Sequence, residues 1–345
     1  MGLYTMAQLP PGFETQYSAL TQGAGIVDFS NRTQIEFTGA DRANFLHNLC
    51  TNAVRDLPAG KGCEAFILNV KGHIVGHVYL FVCPNSIVLE TVSDQAEKLL
   101  AHFDRYLIRE DVQLVDRSQE WAELYLAGPE AEVLLSNLGA ELPLERLAHS
   151  ACRIAGCQAW LRKTDLTSSG FLITSPRAFL PQLQSGLVDA GAVLCGNDAF
   201  DAARIEAGTP LYAQDITEEN LPQEIDRDRL AISFTKGCYL GQETVARIDA
   251  LGHVNRLLRN VKFVPQAVIP PIAAALQSGA SNNEAIGQKT VGRITSACWS
   301  PRLSAPLALA LVHRESAAIG TKLQSQFGEA EVVSAPSGTG LPPKN

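Results

Sequence analysis

Hydrophobic and polar positions alternate in several short stretches of this chain, and recur at spacings of three and four in the stretches between them. Residues 34–37, 65–70, 74–82, 87–91 and 112–115 carry the alternation or the short apolar run of β-strands, with a tight turn at Lys71-Gly72. Asp41 is placed to cap a helix whose Phe45, Leu46 and Leu49 share one face. Ser93 or Asp94 is placed to start another, with Ala96, Leu99, Leu100, Phe103, Tyr106 and Leu107 on its stripe. Residues 1–22, with Pro10-Pro11-Gly12, read as an entry segment. Strands with interspersed packed helices predict an α+β unit with the helices on one face of a sheet.

The alternation resumes near Trp121. Strands are expected at 123–126, 157–161 and 170–174, and helices at 130–135 and 179–190. Asn197 or Asp198 caps a further helix through Arg204 and Glu206 that Gly208 stops. Residues 265–281, with Pro270-Pro271 and many small residues, predict a linker. Past them, short strands at 290–296, 307–312, 321–327 and 331–333, separated by Pro, Ser and Gly, predict a small all-β barrel or sandwich. The expected division is an α+β subdomain over 1–118, a second over 119–264, a barrel over 265–336 and a tail over 337–345.

Length agrees, since 345 residues exceed what one core usually covers. With 46% apolar and 19% charged residues the chain has the composition of a soluble globular protein. Its net charge of −8, with no long basic run, argues against a general nucleic-acid binder. The eight cysteines are scattered without a C-x-x-C pair, so reduced thiols are expected rather than a disulfide framework or a zinc site. The N-terminus lacks a basic segment followed by an apolar core, and the apolar run 307–312 is far too short to span a bilayer. A cytoplasmic location is expected, without membrane contact.

The stretch with the most chemistry is Phe234-Thr235-Lys236-Gly237-Cys238-Tyr239-Leu240-Gly241-Gln242-Glu243. Two glycines bracket a thiol and a tyrosine as a shaped turn, and residues 242–248 read as a short helix. Cys238 then stands ahead of a helix N-terminus, where the partial positive charge and Lys236 would favour the thiolate. The plain alternative is a buried structural cysteine in a turn.

Residues 236–243 resemble the K-G-C-Y-x-G-Q-E signature of the YgfZ proteins, folate-binding relatives of the glycine-cleavage T-protein that assist iron–sulfur cluster proteins. Asp41-Arg42-Ala43-Asn44-Phe45-Leu46 is similar to another segment of that family. Arg204-Ile205-Glu206-Ala207-Gly208 with Leu211-Tyr212, and Gly292-Arg293-Ile294-Thr295-Ser296 with Ser300-Pro301, resemble segments of T-proteins. The resemblance implies a T-protein-like α+β fold, with three subdomains in a ring around a central channel and a small β-barrel at the C-terminus. It also implies tetrahydrofolate or a one-carbon derivative as the cofactor.

A pterin edge calls for a carboxylate, an aminobenzoyl ring for aromatic neighbours and a glutamate tail for arginine. Glu206 and Glu224 are the candidate carboxylates, and Tyr212 and Tyr239 the candidate lining, with Gln242 of the signature counted alongside. Arg227 and Arg247, with Arg229 and Arg256 nearby, are the candidates for the tail. T-proteins work with a strand aspartate in a G-G-x-x-D-D segment. The matching stretch here is Gly72-His73-Ile74-Val75-Gly76-His77, so Gly76 and His77 stand at the aspartate positions. His77 is a substitute acid or base, or merely a histidine facing the channel. His73 and His77 lie about 13 Å apart on a strand, too far for easy chelation, and no metal site is expected.

The first expectation is a tetrahydrofolate-binding accessory protein for assembly or repair of iron–sulfur enzymes, with Cys238 as the working thiol and Lys236 depressing its pKa. Its partners would be folate and the client enzymes or cluster-assembly proteins. The alternatives are a folate-dependent aminomethyltransferase and a folate-binding module without turnover.

Overall fold

A computed structural model describes residues 9–167, 169–279 and 289–336. The chain enters through helix α1 (Phe13–Gln22), which starts on the left-handed Gly12 and buries Phe13, Tyr17, Ala19 and Leu20. An entry segment was expected there. The stripe at 13, 17 and 20 is helical, but the preceding Pro-Pro-Gly masks it as a turn. Strand β1 (Gly25–Asp28) follows, and the chain then builds β2 (Arg32–Thr38), α2 (Arg42–Leu49), β3 (Gly62–Leu68), β4 (Ile74–Val82), β5 (Ile87–Ser93), α3 (Ala96–Asp104) and β6 (Gln113–Asp116). Asp41 precedes α2 without capping it through its side chain, because its carboxylate accepts the Asp111 backbone N–H at 2.9 Å.

The second run comprises β7 (Trp121–Ala127), α4 (Ala131–Asn137), β8 (His149–Ile154), β9 (Cys157–Thr164), β10 (Gly170–Pro176), α5 (Leu180–Asp189), β11 (Val193–Cys195) and α6 (Asn197–Glu206). Strands β2 to β6 form a five-stranded antiparallel sheet in the order β3-β4-β5-β2-β6. The other strands form a six-stranded sheet in the order β11-β1-β7-β10-β9-β8. Strand β1 is therefore interior to the second sheet, antiparallel to β7 and parallel to β11.

The period of two sorts side chains into layers. Cys63, Ala65 and Ile67 of β3 pack with Phe45, Leu46, Leu99 and Phe103 of α2 and α3. The intervening Phe66 and Leu68 face the other sheet and share a core with Val27, Tyr125 and Leu172. On the far side, Leu124, Leu126 and Ile173 pack under Leu134, Leu135, Leu183 and Leu187 of α4 and α5. Two helix layers thus enclose two stacked sheets. A polar side chain on the inner face of either sheet is buried by this arrangement.

After α6, a 3-10 turn (Pro222–Ile225), α7 (Asp228–Ala231) and α8 (Gln242–Leu251) lead into β12 (Arg256–Phe263), β13 (Ala275–Ser278), β14 (Thr290–Ser300), β15 (Ala305–His313), β16 (Lys322–Ser325) and β17 (Gly328–Val333). These six strands close an antiparallel barrel in the order β12-β15-β14-β13-β16-β17. The barrel begins earlier than the expected boundary at 265, with β12, whose Arg256, Arg259 and Lys262 obscured its alternation. Strand β13 lies inside the stretch expected to be a linker. The tail expected at 337–345 lies outside the described residues. Among the described residues, no helix is long and apolar enough to cross a membrane.

Candidate functional site

The 232–241 segment runs without regular structure from α7 to α8 and is fastened along its length to the first sheet and its helix. Ser233 N–H donates to the Thr51 carbonyl and Leu240 N–H to the Asn48 carbonyl, each at 2.9 Å. Thr244 Oγ1 donates to the Lys71 carbonyl at 2.9 Å. Gly241, at φ 79°, is required twice over: it takes a left-handed conformation, and a Cβ there would meet the Asn69 carbonyl oxygen at 2.6 Å. Gly237 is not under that constraint, since a Cβ there would meet open space. The expected helix is present and longer than 242–248. Gln242 Oε1 turns back from its first residue to accept the Tyr239 N–H at 3.2 Å.

The sequence paired Lys236 with Cys238, and the structure gives the lysine ammonium backbone partners on another element. Its ammonium donates to the backbone carbonyls of His47, Cys50 (2.7 Å) and Asn52 (2.9 Å) and lies 4.9 Å from the centre of the Tyr239 ring. His47 belongs to the last turn of α2 and Cys50 follows that helix, so the charge sits where unpaired carbonyls carry partial negative charge. Burial pushes the Lys236 pKa down, and the thiols that sense its charge are Cys50 and Cys63. Lys236 is a clamp that ties the Cys238 loop to α2. Replacing it with glutamine removes charge-assisted bonds of the kind that contribute about 1.5–3 kcal/mol each. Faster hydrogen exchange at the Leu240 and Ser233 amides is the expected result, and unchanged protection there would show that the loop is held elsewhere.

All eight cysteines are free, and Cys238 is the exposed one, which answers the buried-turn alternative. It stands four positions before the first residue of α8, outside that helix's first turn. Tyr239 is its buried neighbour, with its phenol pushed up to about 12 by burial.

His77, on β4, faces the layer between the sheets and is 6% exposed. Its Nε2 lies 2.8 Å from Glu64 Oε1, and burial holds its pKa down against the pull of that carboxylate. Glu64, on β3, is fully buried and also accepts from Arg146 and, through both oxygens, from Arg227, with Nη2 at 2.8 Å. Arg146 in turn reaches Asp165 at 2.8 Å. Burial opposes ionisation of Glu64, but Arg227, followed by His77, outweighs it and holds the carboxyl well below its usual range. Arg227 is therefore occupied, and not placed for a folate tail. Sequence reasoning missed Glu64 and Arg146. A lone acid inside the apolar strand at 62–68 was the available signal.

The remaining candidates fall in separate places. Glu206, at the end of α6, is fully buried and accepts from Tyr17 (2.6 Å) and Ser300, with Arg302 3.6 Å away. Glu224 accepts from Asn220 (3.0 Å) and from both Arg256 nitrogens (3.0 and 3.2 Å), tying the 3-10 turn to β12. Tyr212 accepts from Lys98 at 2.5 Å, and Lys98 also pairs with Glu218 at 2.7 Å. Arg229 and Arg247 are exposed. Both candidate carboxylates are thus already bonded to protein donors, and in this arrangement neither presents the free pair of acceptors that a pterin edge needs. Among the described residues, no group of three or more His, Cys, Asp and Glu could hold a metal ion.

A second buried ion cluster occupies the same inter-sheet layer. Arg32 of β2 pairs with Glu90 of β5, and Arg162 of β9 with Glu123 of β7 at 3.1 Å, where Thr174 also donates at 2.6 Å. One oxygen of each carboxylate, Glu90 Oε2 and Glu123 Oε2, has no hydrogen-bond partner. Burial, and then the charge of Glu90, raise the Glu123 pKa to about 7 against the pull of Arg162 and Arg32.

Comparison with known proteins accounts for this architecture. The GCVT N-terminal domain matches residues 4–236, about two thirds of the chain, and the glycine cleavage T-protein C-terminal barrel domain matches 271–337. An aminomethyltransferase of Rubrobacter xylanophilus is 30% identical over 308 residues, covering 88% of this chain and 80% of that one. An aminomethyltransferase of Bacillus subtilis is 26% identical, covering 95% and 92%. A putative chloroplastic transferase of Arabidopsis thaliana is 25% identical, covering 88% and 68%. The glycine cleavage system aminomethyltransferase T of Bartonella henselae superposes with a TM-score of 0.84 at 19% identity, over 98% of this chain and 94% of that one, and so shares its fold. With both of its domains matched in order, the chain belongs to the GCVT family of glycine cleavage T-protein-like proteins.

Proposed function

We propose that this protein is a tetrahydrofolate-binding accessory factor for iron–sulfur enzymes, with Cys238 as its working group. The observation that carries the reading is the state of the carboxylates. Gly76 and His77 stand where the T-protein resemblance places aspartates, and the nearby acid, Glu64, is neutralised by Arg227 and Arg146. A general base must offer a lone pair near the operating pH, and a carboxylate held far below its usual range by two guanidinium groups is a poor one. Cys238, by contrast, is a solvent-facing thiol on a loop fixed at Lys236 and Leu240. Folate comes to this chain from its family. Since the candidate carboxylates are bonded elsewhere, no step is routed through it.

An aminomethyltransferase is the second reading, and the names and coverage of its relatives favour it. Residues 237–270, which hold the second half of the 232–241 loop, Cys238 included, and all of α8, lie outside both matched segments. Two measurements divide the readings. The purified protein, given tetrahydrofolate and a protein-bound aminomethyl donor, is expected to form no methylenetetrahydrofolate, and turnover would establish the transferase. In cells lacking the protein, iron–sulfur enzyme activity is expected to return with the parent chain and not with Cys238→Ala. Equal rescue by the alanine variant would remove the thiol from the mechanism.

A further inference from the structure

The layer between the sheets holds two carboxylate oxygens that nothing in the protein satisfies. Glu90, on β5 of the first sheet, and Glu123, on β7 of the second, are both fully buried. Each Oε1 accepts from protein donors: that of Glu90 from Arg32, and that of Glu123 from Arg162 at 3.1 Å and Thr174 at 2.6 Å. Each Oε2 is buried and has no partner. One bare buried oxygen costs free energy, and two bare carboxylates sharing a site oppose each other's ionisation as well.

The two acids are neighbours across the layer. The charges of both act on Arg32. Glu90 acts on Glu123 more strongly than does Arg162, which touches it at 3.1 Å. Unit charges in one medium rank by their separation, so the two carboxylates face each other at short range. None of the groups around them donates to either Oε2. Arg32 on β2 and Arg162 on β9 are turned to the Oε1 atoms. Gln34 and Tyr79, opposite Glu90 on β2 and β4, are neutral, the phenol because burial raises its pKa. His149, opposite Arg162 on β8, is neutral too, with its pKa lowered to about 4 by burial. Glu64, beyond Tyr79, is matched by Arg227 and Arg146.

We infer that Glu90 and Glu123 share one proton between their Oε2 atoms, and that this proton latches the two sheets to each other. The protonated acid donates its O–H and the other carboxylate accepts it, so one hydrogen satisfies both bare oxygens. Loss of the proton sets two negative charges face to face, one on each sheet, and loosens the layer. The latch is complete below the ordinary carboxyl value of 4.5 and is lost as pH rises through the folded value of about 7.

Infrared spectroscopy of the full-length protein tests this directly, because a carboxylic acid and a carboxylate absorb at separate frequencies. At about pH 6 carboxyls in ordinary surroundings are ionised, and Glu64 is held lower still. A carboxylic-acid band of one group per chain is expected there, converting to carboxylate as pH passes about 7. Glu123→Gln and Glu90→Gln are each expected to abolish it. Either amide can donate N–H to the carboxylate that remains, and in the second variant Glu123 also loses the repulsion that holds its proton. Absence of the band in the parent would overturn the assignment, since a trapped water or separate pairing with the arginines leaves both acids ionised. A band that survives Glu90→Gln at an unchanged frequency would overturn it too, because the proton would then belong to Glu123 alone. Hydrogen exchange of the parent chain needs no variant. Amides of β5 and β7 are expected to lose protection together from about pH 6 to 8, beyond the intrinsic rise in exchange rate. Exchange that follows the intrinsic rate alone would remove the latch.

Discussion

Glu64→Ala is expected to lower the folding free energy by about 3–5 kcal/mol, the usual consequence of deleting one partner from a buried ion pair. Arg227 is 7% exposed and has both of its bonded nitrogens on Glu64, so the variant leaves a guanidinium in the inter-sheet layer without its counter-charge. Arg146 keeps Asp165, and His77 loses the oxygen beside its Nε2. Glu64→Gln, which keeps an acceptor and the volume, is expected to lose less. The effect depends on pH with a defined sign. Because the folded carboxyl titrates well below the ordinary value of 4.5, its stabilisation is fully present above that pH and is lost as pH falls through the folded pKa. Urea denaturation at pH 7 measures the first part, and a series of urea titrations from pH 4.5 downward measures the second. A loss under 1 kcal/mol at pH 7 would mean that solvent reaches the cluster and pays for the missing charge.

Glu123 should behave in the opposite way. Its pKa is raised from 4.5 to about 7, so between those values the folded chain keeps a proton that the unfolded chain has released. Stability therefore falls as pH rises across that window, by about 1.4 kcal/mol per unit and on the order of 3 kcal/mol in all. Glu123→Gln imitates the protonated form and can still accept from Arg162 and Thr174. It is expected to match the parent near pH 4.5, to lack the decline between pH 4.5 and 7, and to be the more stable protein above pH 7. Parallel stability curves for the two proteins would show that Glu123 is ionised throughout, held by Arg162 and Arg32.

The strands were legible because stacked sheets impose a period of two on both of their faces, and the helix layers impose spacings of three and four on their stripes. The same logic hid the charges between the sheets. An acid at position 64, 90 or 123 falls on an alternating position that, read alone, looks solvated, and only the opposite sheet, from distant sequence, makes it buried. Helix α1 was concealed by the Pro-Pro-Gly before it, and β12 by three basic residues. Cys238, in the motif at 236–243, is exposed. The role of Lys236 could not be read from its nearness to Cys238, because its partners are carbonyls almost two hundred residues earlier. Glu206 and Glu224 are buried acids, as a ligand site would require. The tyrosine, serine and arginine that occupy them come from other elements, and local spacing does not reveal them.

The position of β1 bears on how the chain can be dissected. Everything from β2 to β6 is an insertion between two neighbouring strands of the six-stranded sheet, with Phe29 N–H still bonded to the Glu123 carbonyl across the junction. A cut at 118/119 would carry β1 and α1 away with the wrong fragment, stripping the remaining sheet of an interior strand and baring the edge of β7. The excisable module is the loop of chain between Asp28 and Trp121, and a fragment starting at 119 would be an incomplete body exposing a strand edge prone to pairing with other chains.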